Sequence, residues 1–565
     1  MEWSRFVREA VYKNAGFTSL RNLKDYIEEF EPWFEPQVIP VPTNEPKEDY
    51  SGEPVVLPKE PADHRAKYPA ARYYSAADYR ELYLSGDLTP TQVAKALLPL
   101  IRRDVAPAGE HSLAFIDTNA VLVLEAAEAS TRRYGEGRSL GLLDGVPTAV
   151  KDEYDMDGYA TTLGSSRDYK GTKAEDNDYT TWCVKRLNAA GALILGKLSM
   201  HEFGLDTTGN NPVHGTPMNP HNPLYYPGGS SSGTAYAVSA GLIPVGLGSD
   251  GGGSIRIPAA VCGVYGLKPT HGRVSLLPGQ NHSVTCAVNG PIAADMQSLA
   301  TMFSVMAEPH PASSFPSLGR LHLTPPKDKI LGIPEAWFAR ATPGTQQLCR
   351  DMIDRLVSER GYTTVPVDIP FLLEGQTAHA LTVLCDAATL LPLTKGVSAA
   401  NRIMVALGKA APASDLMLAQ KLRRVLMQHL AWLWQEYPGM MIVTPVMSCD
   451  GWPLRSKSEL KYGVSDGDRT VQMMEYTWLA NFCGVPAITV PAGFVAPQNG
   501  APDAGEVAGM ETKGKIPIGL MATAEWCQEE QLLQFGYEVE QISGDKRSRP
   551  PNWVDVVDEA RKMQI

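Results

Sequence analysis

The chain has 565 residues, 44% hydrophobic and 20% charged, with 51 basic and 63 acidic side chains and a net charge of −12. That balance disfavours a nucleic-acid or anionic-membrane partner. Eight cysteines are scattered without a CxxC pair, which argues against a zinc site and a secreted disulfide framework. No run approaches the roughly 20 apolar residues of a membrane span, and Met1–Lys13 lacks a signal-like apolar core. A soluble, cytoplasmic protein is expected.

Residues 1–30 place Phe6, Val11, Phe17, Leu20, Leu23, Tyr26 and Ile27 at helical spacing. Residues 32–69 are acidic and rich in proline, which disfavours helix there and in the residue before it. This stretch reads as an extended arm packed on the body, with a partner-binding arm as the alternative. Ser75-Ala76-Ala77-Asp78 reads as a capping box opening a helix to Gly86. Thr89-Pro90 opens another, with Val93, Leu97, Leu100 and Ile101 on its apolar face. A helix is predicted over Ala120–Arg133, then a strand over Gly145–Lys151. Asn177–Ala190 reads as a helix and Gly191–Gly196 as a buried strand.

Next comes a serine-rich turn, Tyr226 to Thr234. A small-residue helix over Ala235–Leu242 and a buried strand over Ile243–Leu247 follow. They lead to the run Gly248-Ser249-Asp250-Gly251-Gly252-Gly253-Ser254. Glycine lets other groups approach the backbone closely, and successive glycine N–H groups can converge into an anion-binding nest. A serine ending such a nest suits acyl transfer, with a nucleophile beside a pocket for the oxyanion it creates. The plainer reading is a glycine-rich turn ending in a surface serine. Lys151, at the end of its strand, is equally readable as a solvated charge. The other base candidates near the serine runs are His201, His214, His221 and His271.

Residues 300–440 are mostly helical by pattern. Met352–Arg360 precedes a strand over Thr363–Val367, and helical stretches follow over Leu372–Leu407 and Asp415–Tyr437. Trp432, Trp434, Met440, Met441 and Trp452 could line a pocket or simply pack a core. Residues 495–515 read as an exposed hairpin or flexible insert. Short apolar runs alternating with helices predict an α/β fold with a largely parallel or mixed central sheet and helices on both faces.

The segments Gly228-Gly229-Ser230-Ser231, Asp250-Gly251-Gly252-Gly253-Ser254-Ile255-Arg256-Ile257-Pro258 and Ala259–Thr270 together resemble the amidase signature family. So do Gly196–Gly204, Asn211–Pro220 and Asn481–Gly493. The resemblance is dense over roughly residues 75–300. It implies one large catalytic domain over 71–565 behind an N-terminal extension, 1–70, that wraps it. The signature core would be 226–273 and the variable pocket-forming region 300–470.

The resemblance further implies a Ser–cis-Ser–Lys triad. Ser254 would be the nucleophile, Ser230 the bridging serine after a cis Gly229–Ser230 peptide, and Lys151 the base. The backbone N–H groups of Gly251, Gly252, Gly253 and Ser254 would form the oxyanion hole, with Ser231, Asp250 and Arg256 in support. No cofactor and no metal are implied. The implied activity is hydrolysis of a small carboxylic amide, aliphatic or aryl, through an acyl-enzyme. The same triad could serve a carbamate, urethane or ester hydrolase. A glutamine-hydrolysing amidotransferase subunit is a further alternative, and a scaffold protein that keeps the fold is a third; a homodimer is left open.

A lysine base must be neutral. Burial and the absence of a close carboxylate would lower its pKa, and Asp152, as a strand neighbour, should face away. Activity should then rise toward alkaline pH. Gly229-Ser230-Ser231-Ser232-Gly233 also fits the nucleophile elbow G-x-S-x-G, with Ser231 attacking and a downstream histidine as base. Pro223 and Pro227 argue against the strand an elbow requires. Ser458-Glu459-Leu460-Lys461 matches S-x-x-K by chance, with no KTG to accompany it.

Overall fold

The computed structural model describes residues 4–39, 71–169, 179–278, 283–317, 321, 328–391, 396–497 and 514–563. Eleven strands among them form one mixed sheet. They are β1 (Phe115–Asp117), β2 (Pro147–Lys151), β3 (Leu193–Leu198), β4 (Val245–Asp250), β5 (Tyr265–Lys268), β6 (Val288–Ala293), β7 (Ile330–Ile333), β8 (Thr363–Pro366), β9 (Met441–Pro445), β10 (Ala487–Val495) and β11 (Ile516–Thr523). Their order across the sheet is β1-β3-β2-β4-β6-β5-β10-β11-β9-β7-β8. The expected mixed sheet with helical cover is what forms. β2, β3, β4, β5, β6, β9 and β11 are buried along their whole length, as befits a sheet covered on both faces.

β2 runs parallel to β3 and to β4, so the carboxyl ends of β2 and β4 open on the same edge of the sheet. Open α/β sheets hold their ligands beyond such ends. Lys151 closes β2 and Asp250 closes β4. The predicted strand at 243–247 is displaced toward its C-terminus, because β4 pairs with β6 continuously from Val245–Ala293 to Asp250–Val288. Gly248, Ser249 and Asp250 are therefore strand, not turn. Pairing with β6 outweighs the local preference of glycine and aspartate for a turn.

Two helices begin where their capping boxes predict. Ser75 and Asp78 form a reciprocal capping box for Ala76–Leu84, as do Thr89 and Gln92 for Pro90–Ile101, with proline in its first turn. Ala120–Gly135 is helical. The helix expected from residue 177 spans Trp182–Ala189, and residues 170–178 lie outside the described residues. The helix after the serine-rich turn spans Ser232–Ser239, three residues earlier than predicted. Gly233 enters it because a Cβ there would stand 2.4 Å from Ala114 O and 2.5 Å from Ser199 N. Leu372–Leu407 divides into two helices, Leu372–Leu390 and Ala399–Ala410, and Ala413–Glu436 follows.

Residues 5–14 form a helix and 17–23 a 3-10 helix, separated by Gly16 at φ 81°. This segment lies on Ala413–Glu436. Tyr12 donates to Asp415 Oδ2 (3.0 Å), Arg21 grips both Asp415 oxygens, and Trp33 N donates to Gln420 O. The remainder of the expected extension, 40–70, lies outside the described residues, as do 498–513 of the expected insert. β10 and β11, on either side of that insert, pair antiparallel. Among the proposed pocket residues, Trp434, Met440, Met441 and Trp452 are buried in the main core, and Trp432 is half exposed.

Candidate active site

Lys151 ends β2 fully buried. Its Nζ stands 2.7 Å from Ser230 Oγ and 2.7 Å from Ser249 Oγ. Asp152, the first residue of the turn after β2, faces away from the lysine as expected. It pairs with Lys197 Nζ (3.1 Å) and accepts from the backbone of Thr162 and Gly164. The expectation that no carboxylate approaches the lysine is overturned. Glu153 Oε2 stands 3.1 Å from Lys151 Nζ and accepts from Ser249 Oγ at 2.6 Å. Glu153 lies in the turn after β2, closed by Tyr154 N donating to Lys151 O, and that turn brings its carboxylate back to the lysine. Burial lowers the lysine's pKa, and the charges of Glu153 and Asp250 oppose it. Burial is the largest influence, and the net shift is downward.

The three serines of the 226–234 turn take different places. The Gly229–Ser230 peptide is cis, and Ser230 Oγ faces Lys151. Ser231 Oγ donates to Ser249 O (3.1 Å) and accepts from Ser249 N (3.3 Å), while Ser231 N donates to Ser254 O (3.2 Å). Ser231 thus staples β4 to the residue after the glycines. Ser232 Oγ faces Ser199 O. Ser230 and Ser231 are 1% and 0% exposed, whereas Ser254 is 8% exposed, the most open of the three to an incoming molecule. An elbow centred on Ser231 finds no support. Its hydroxyl is committed to β4, and among the described residues those just before it contribute only the isolated bridge Tyr225–Pro453.

The turn 251–254 is built by what surrounds it. Asp250 accepts through Oδ1 from Gly253 N (2.6 Å) and Arg256 Nη2 (2.9 Å), and through Oδ2 from Ile255 N (3.1 Å) and Arg256 Nε (3.0 Å). Burial opposes ionisation of this carboxyl, yet Arg256 beside it holds it well below the usual carboxylate range. The carbonyl that ends β4 and two carbonyls of the turn are tied from distant parts of the chain. Asn481 Nδ2 donates to Asp250 O (2.6 Å), His379 Nε2 to Gly251 O (2.7 Å) and Thr477 Oγ1 to Gly252 O (2.6 Å). In a planar trans peptide the N–H opposes the C=O, so the N–H groups of Gly251 and Gly252 point away from Asn481 and His379. Of the four N–H groups expected to bind an oxyanion, that of Gly253 is held by Asp250. Among the described residues, those of Gly251, Gly252 and Ser254 meet no protein acceptor.

The histidines near the serine runs have other partners. His201 Nδ1 faces Thr208, His221 Nε2 the carbonyl of Cys262, and His214 Nε2 the carbonyl of Ser165. Burial lowers His201 and His221 to about 4 and His271 to about 3. Sequence reasoning missed Ser249, His379, Thr477 and Asn481. The last three lie too far along the chain for any local pattern to link them to the turn.

A lysine, a cis-linked serine and a glycine-backed serine at one sheet edge can be set against known proteins. The family model described as Amidase matches residues 110–533. A fatty acid amide hydrolase of Medicago truncatula is 33% identical over 503 residues, 86% of this chain and 79% of its own. A glutamyl-tRNA(Gln) amidotransferase polypeptide from Symbiobacterium thermophilum is 29% identical over 520 residues, 84% of this chain and 98% of its own. A solved amidase structure superposes with a TM-score of 0.69 at 25% identity, over 83% of this chain and 99% of the other. A family match over most of the chain, joined to the same architecture, means that this chain belongs to the amidase family and is a hydrolase of amide C–N bonds.

Proposed function

We propose that Ser254 is the nucleophile, Ser230 the proton relay and Lys151 the base. The observation that carries this reading is the 2.7 Å contact between Lys151 Nζ and Ser230 Oγ, on the sheet edge where the glycine turn presents Ser254. Neutral Lys151 takes the proton of Ser230 as Ser230 takes that of Ser254. Ser254 Oγ bonds to the amide carbonyl carbon, and its oxygen becomes an anion facing the N–H groups of Gly251, Gly252 and Ser254. Each donor of this kind is typically worth about 10²–10³ in rate. Ser230 then delivers a proton to the leaving nitrogen, regains one from Lys151, and the C–N bond breaks. Water attacks the acyl-enzyme by the same relay. Amines leave poorly unless protonated, and a hydroxyl between base and nucleophile supplies that proton where it is needed.

The acyl group is read as a fatty acyl chain, supported by the fatty acid amide hydrolases among the relatives. Eight free cysteines fit a reducing, cytoplasmic setting. Intact-mass labelling with a fluorophosphonate tests the nucleophile. Wild type and Ser231→Ala should gain one adduct and Ser254→Ala none; labelling abolished in folded Ser231→Ala alone would overturn the assignment. A panel of amides graded by acyl length, with matched esters and carbamates, tests the substrate class. Higher kcat/KM for long-chain amides is the expected result, and preference for acetyl or glutamine amides defeats it.

A further inference from the structure

Lys151 Nζ stands among three oxygen atoms: Ser230 Oγ at 2.7 Å, Ser249 Oγ at 2.7 Å and Glu153 Oε2 at 3.1 Å. A neutral amine has two N–H bonds and one lone pair. To receive the Ser230 proton it must aim the lone pair at Ser230 Oγ, so both N–H bonds need acceptors elsewhere. Ionised carboxylate is an acceptor only. The single hydrogen of Ser249 is committed to Glu153 Oε2 at 2.6 Å, so Ser249 meets the lysine with its oxygen lone pairs. With a neutral group in place of the carboxylate, the Ser249 hydroxyl could reverse, donate to the amine and occupy the lone pair meant for Ser230.

We infer that Glu153 is a positioning residue that sets the direction of every hydrogen bond around Lys151, directly and through Ser249, leaving the lysine's lone pair to Ser230. The inference rests on Lys151 being the base. Glu153 is buried, and among the described residues no other carboxylate pairs with its neighbour Lys151; Asp152 is taken by Lys197 and Asp250 by Arg256. Among the described residues, the charged and titratable groups around the amine are Glu153, Asp250 and His201, and burial keeps His201 neutral near pH 7. The same carboxylate that orients the amine also favours its protonated form. Orientation is therefore gained at the expense of activity at lower pH.

Glu153→Gln, which preserves shape and removes the charge, separates these effects. The expected result is a kcat about tenfold or more below wild type with KM little changed. The acid limb of the kcat profile should move to lower pH by about one unit or more, because an opposite charge this close to an amine raises its pKa. A folded Glu153→Gln enzyme with wild-type kcat and an unshifted acid limb would overturn the inference. If that variant does not fold, Ser249→Ala and Ser249→Thr carry the test. Alanine should lower kcat about tenfold and threonine restore it; full activity in Ser249→Ala overturns the relay of direction through Ser249. Lys151→Met is the control on the underlying reading. Activity retained there sinks the lysine base, while activity lost there beside a wild-type-like Glu153→Gln sinks only the role of Glu153.

Discussion

His379 Nε2 donates to the carbonyl oxygen of Gly251 across 2.7 Å of space and 128 residues of chain. The ring is buried, its pKa lowered to about 4 by that burial, so it is neutral near pH 7 and donates through a fixed nitrogen. Phe482 meets its edge, and Arg423 lies 4.6 Å over the Phe482 ring while donating to the carbonyl of Phe34. The glycine turn, the helix of His379 and the N-terminal segment are thus in one contiguous packing.

Loss of this tie should loosen the orientation of the turn rather than remove a reacting group. His379→Ala is expected to lower kcat about tenfold, short of the loss of a whole oxyanion donor, with KM changed much less. His379→Gln, which can still donate, should recover part of it. Steady-state kinetics on a long-chain amide checks both, and a pure KM effect would show that the ring contacts substrate instead.

Gly251 and Gly253 should respond differently to alanine. A Cβ at 251 would meet only Ala287 Cβ, at 3.7 Å. A Cβ at 253 would stand 2.6 Å from both Thr477 Oγ1 and Ile257 Cδ1, on a backbone at φ +127° that side chains rarely adopt. Gly251→Ala should keep most activity, and Gly253→Ala should lose both activity and thermal stability. Equal behaviour of the two would contradict the geometry of the turn.

Asp250→Asn removes a charge paired with fully buried Arg256. Breaking a buried pair from one side typically costs about 3–5 kcal/mol. The folded pKa of Asp250 lies below its unfolded value, so its contribution is complete above the ordinary aspartate value of about 3.9 and is lost as pH falls through the folded pKa. Denaturant titrations should show Asp250→Asn less stable near pH 7, with the gap to wild type narrowing in strong acid.

Asp415 anchors the N-terminal segment. Its carboxylate is buried, but Arg21 is half exposed, so that ion pair contributes little. The buried Tyr12 hydroxyl matters more, since an unmet buried donor costs about 1–3 kcal/mol. Asp415→Ala should lower Tm and speed limited proteolysis within residues 4–39. Unchanged proteolysis would mean that Trp33 and the other backbone contacts hold the segment without Asp415.

Much of the site was legible because its elements are local. Capping boxes at Ser75 and Thr89, the strand ending in Lys151, the serine-rich turn before Ser232 and the glycine turn at 251–254 each carry their signal within a few residues. The register of β4 was not legible, since pairing with β6 drew Gly248 to Asp250 into the strand against their turn preference. Nor was the close carboxylate at Glu153, because it is the turn after β2, not the strand's alternation, that brings it back to Lys151.

By itself, the order of residues determined the α/β class and the family, because hydrophobic period, turn chemistry and motif spacing are properties of neighbouring residues, and through the family resemblance it pointed to Lys151, Ser230 and Ser254 as the candidate site. Only the tertiary structure decided which groups surround those three. Glu153 and Ser249 around the lysine, and Asn481, His379 and Thr477 on the turn carbonyls, meet their partners through space. Directional hydrogen bonds and charge act over a few ångströms between groups that can be hundreds of residues apart, and no periodicity along the chain encodes that distance.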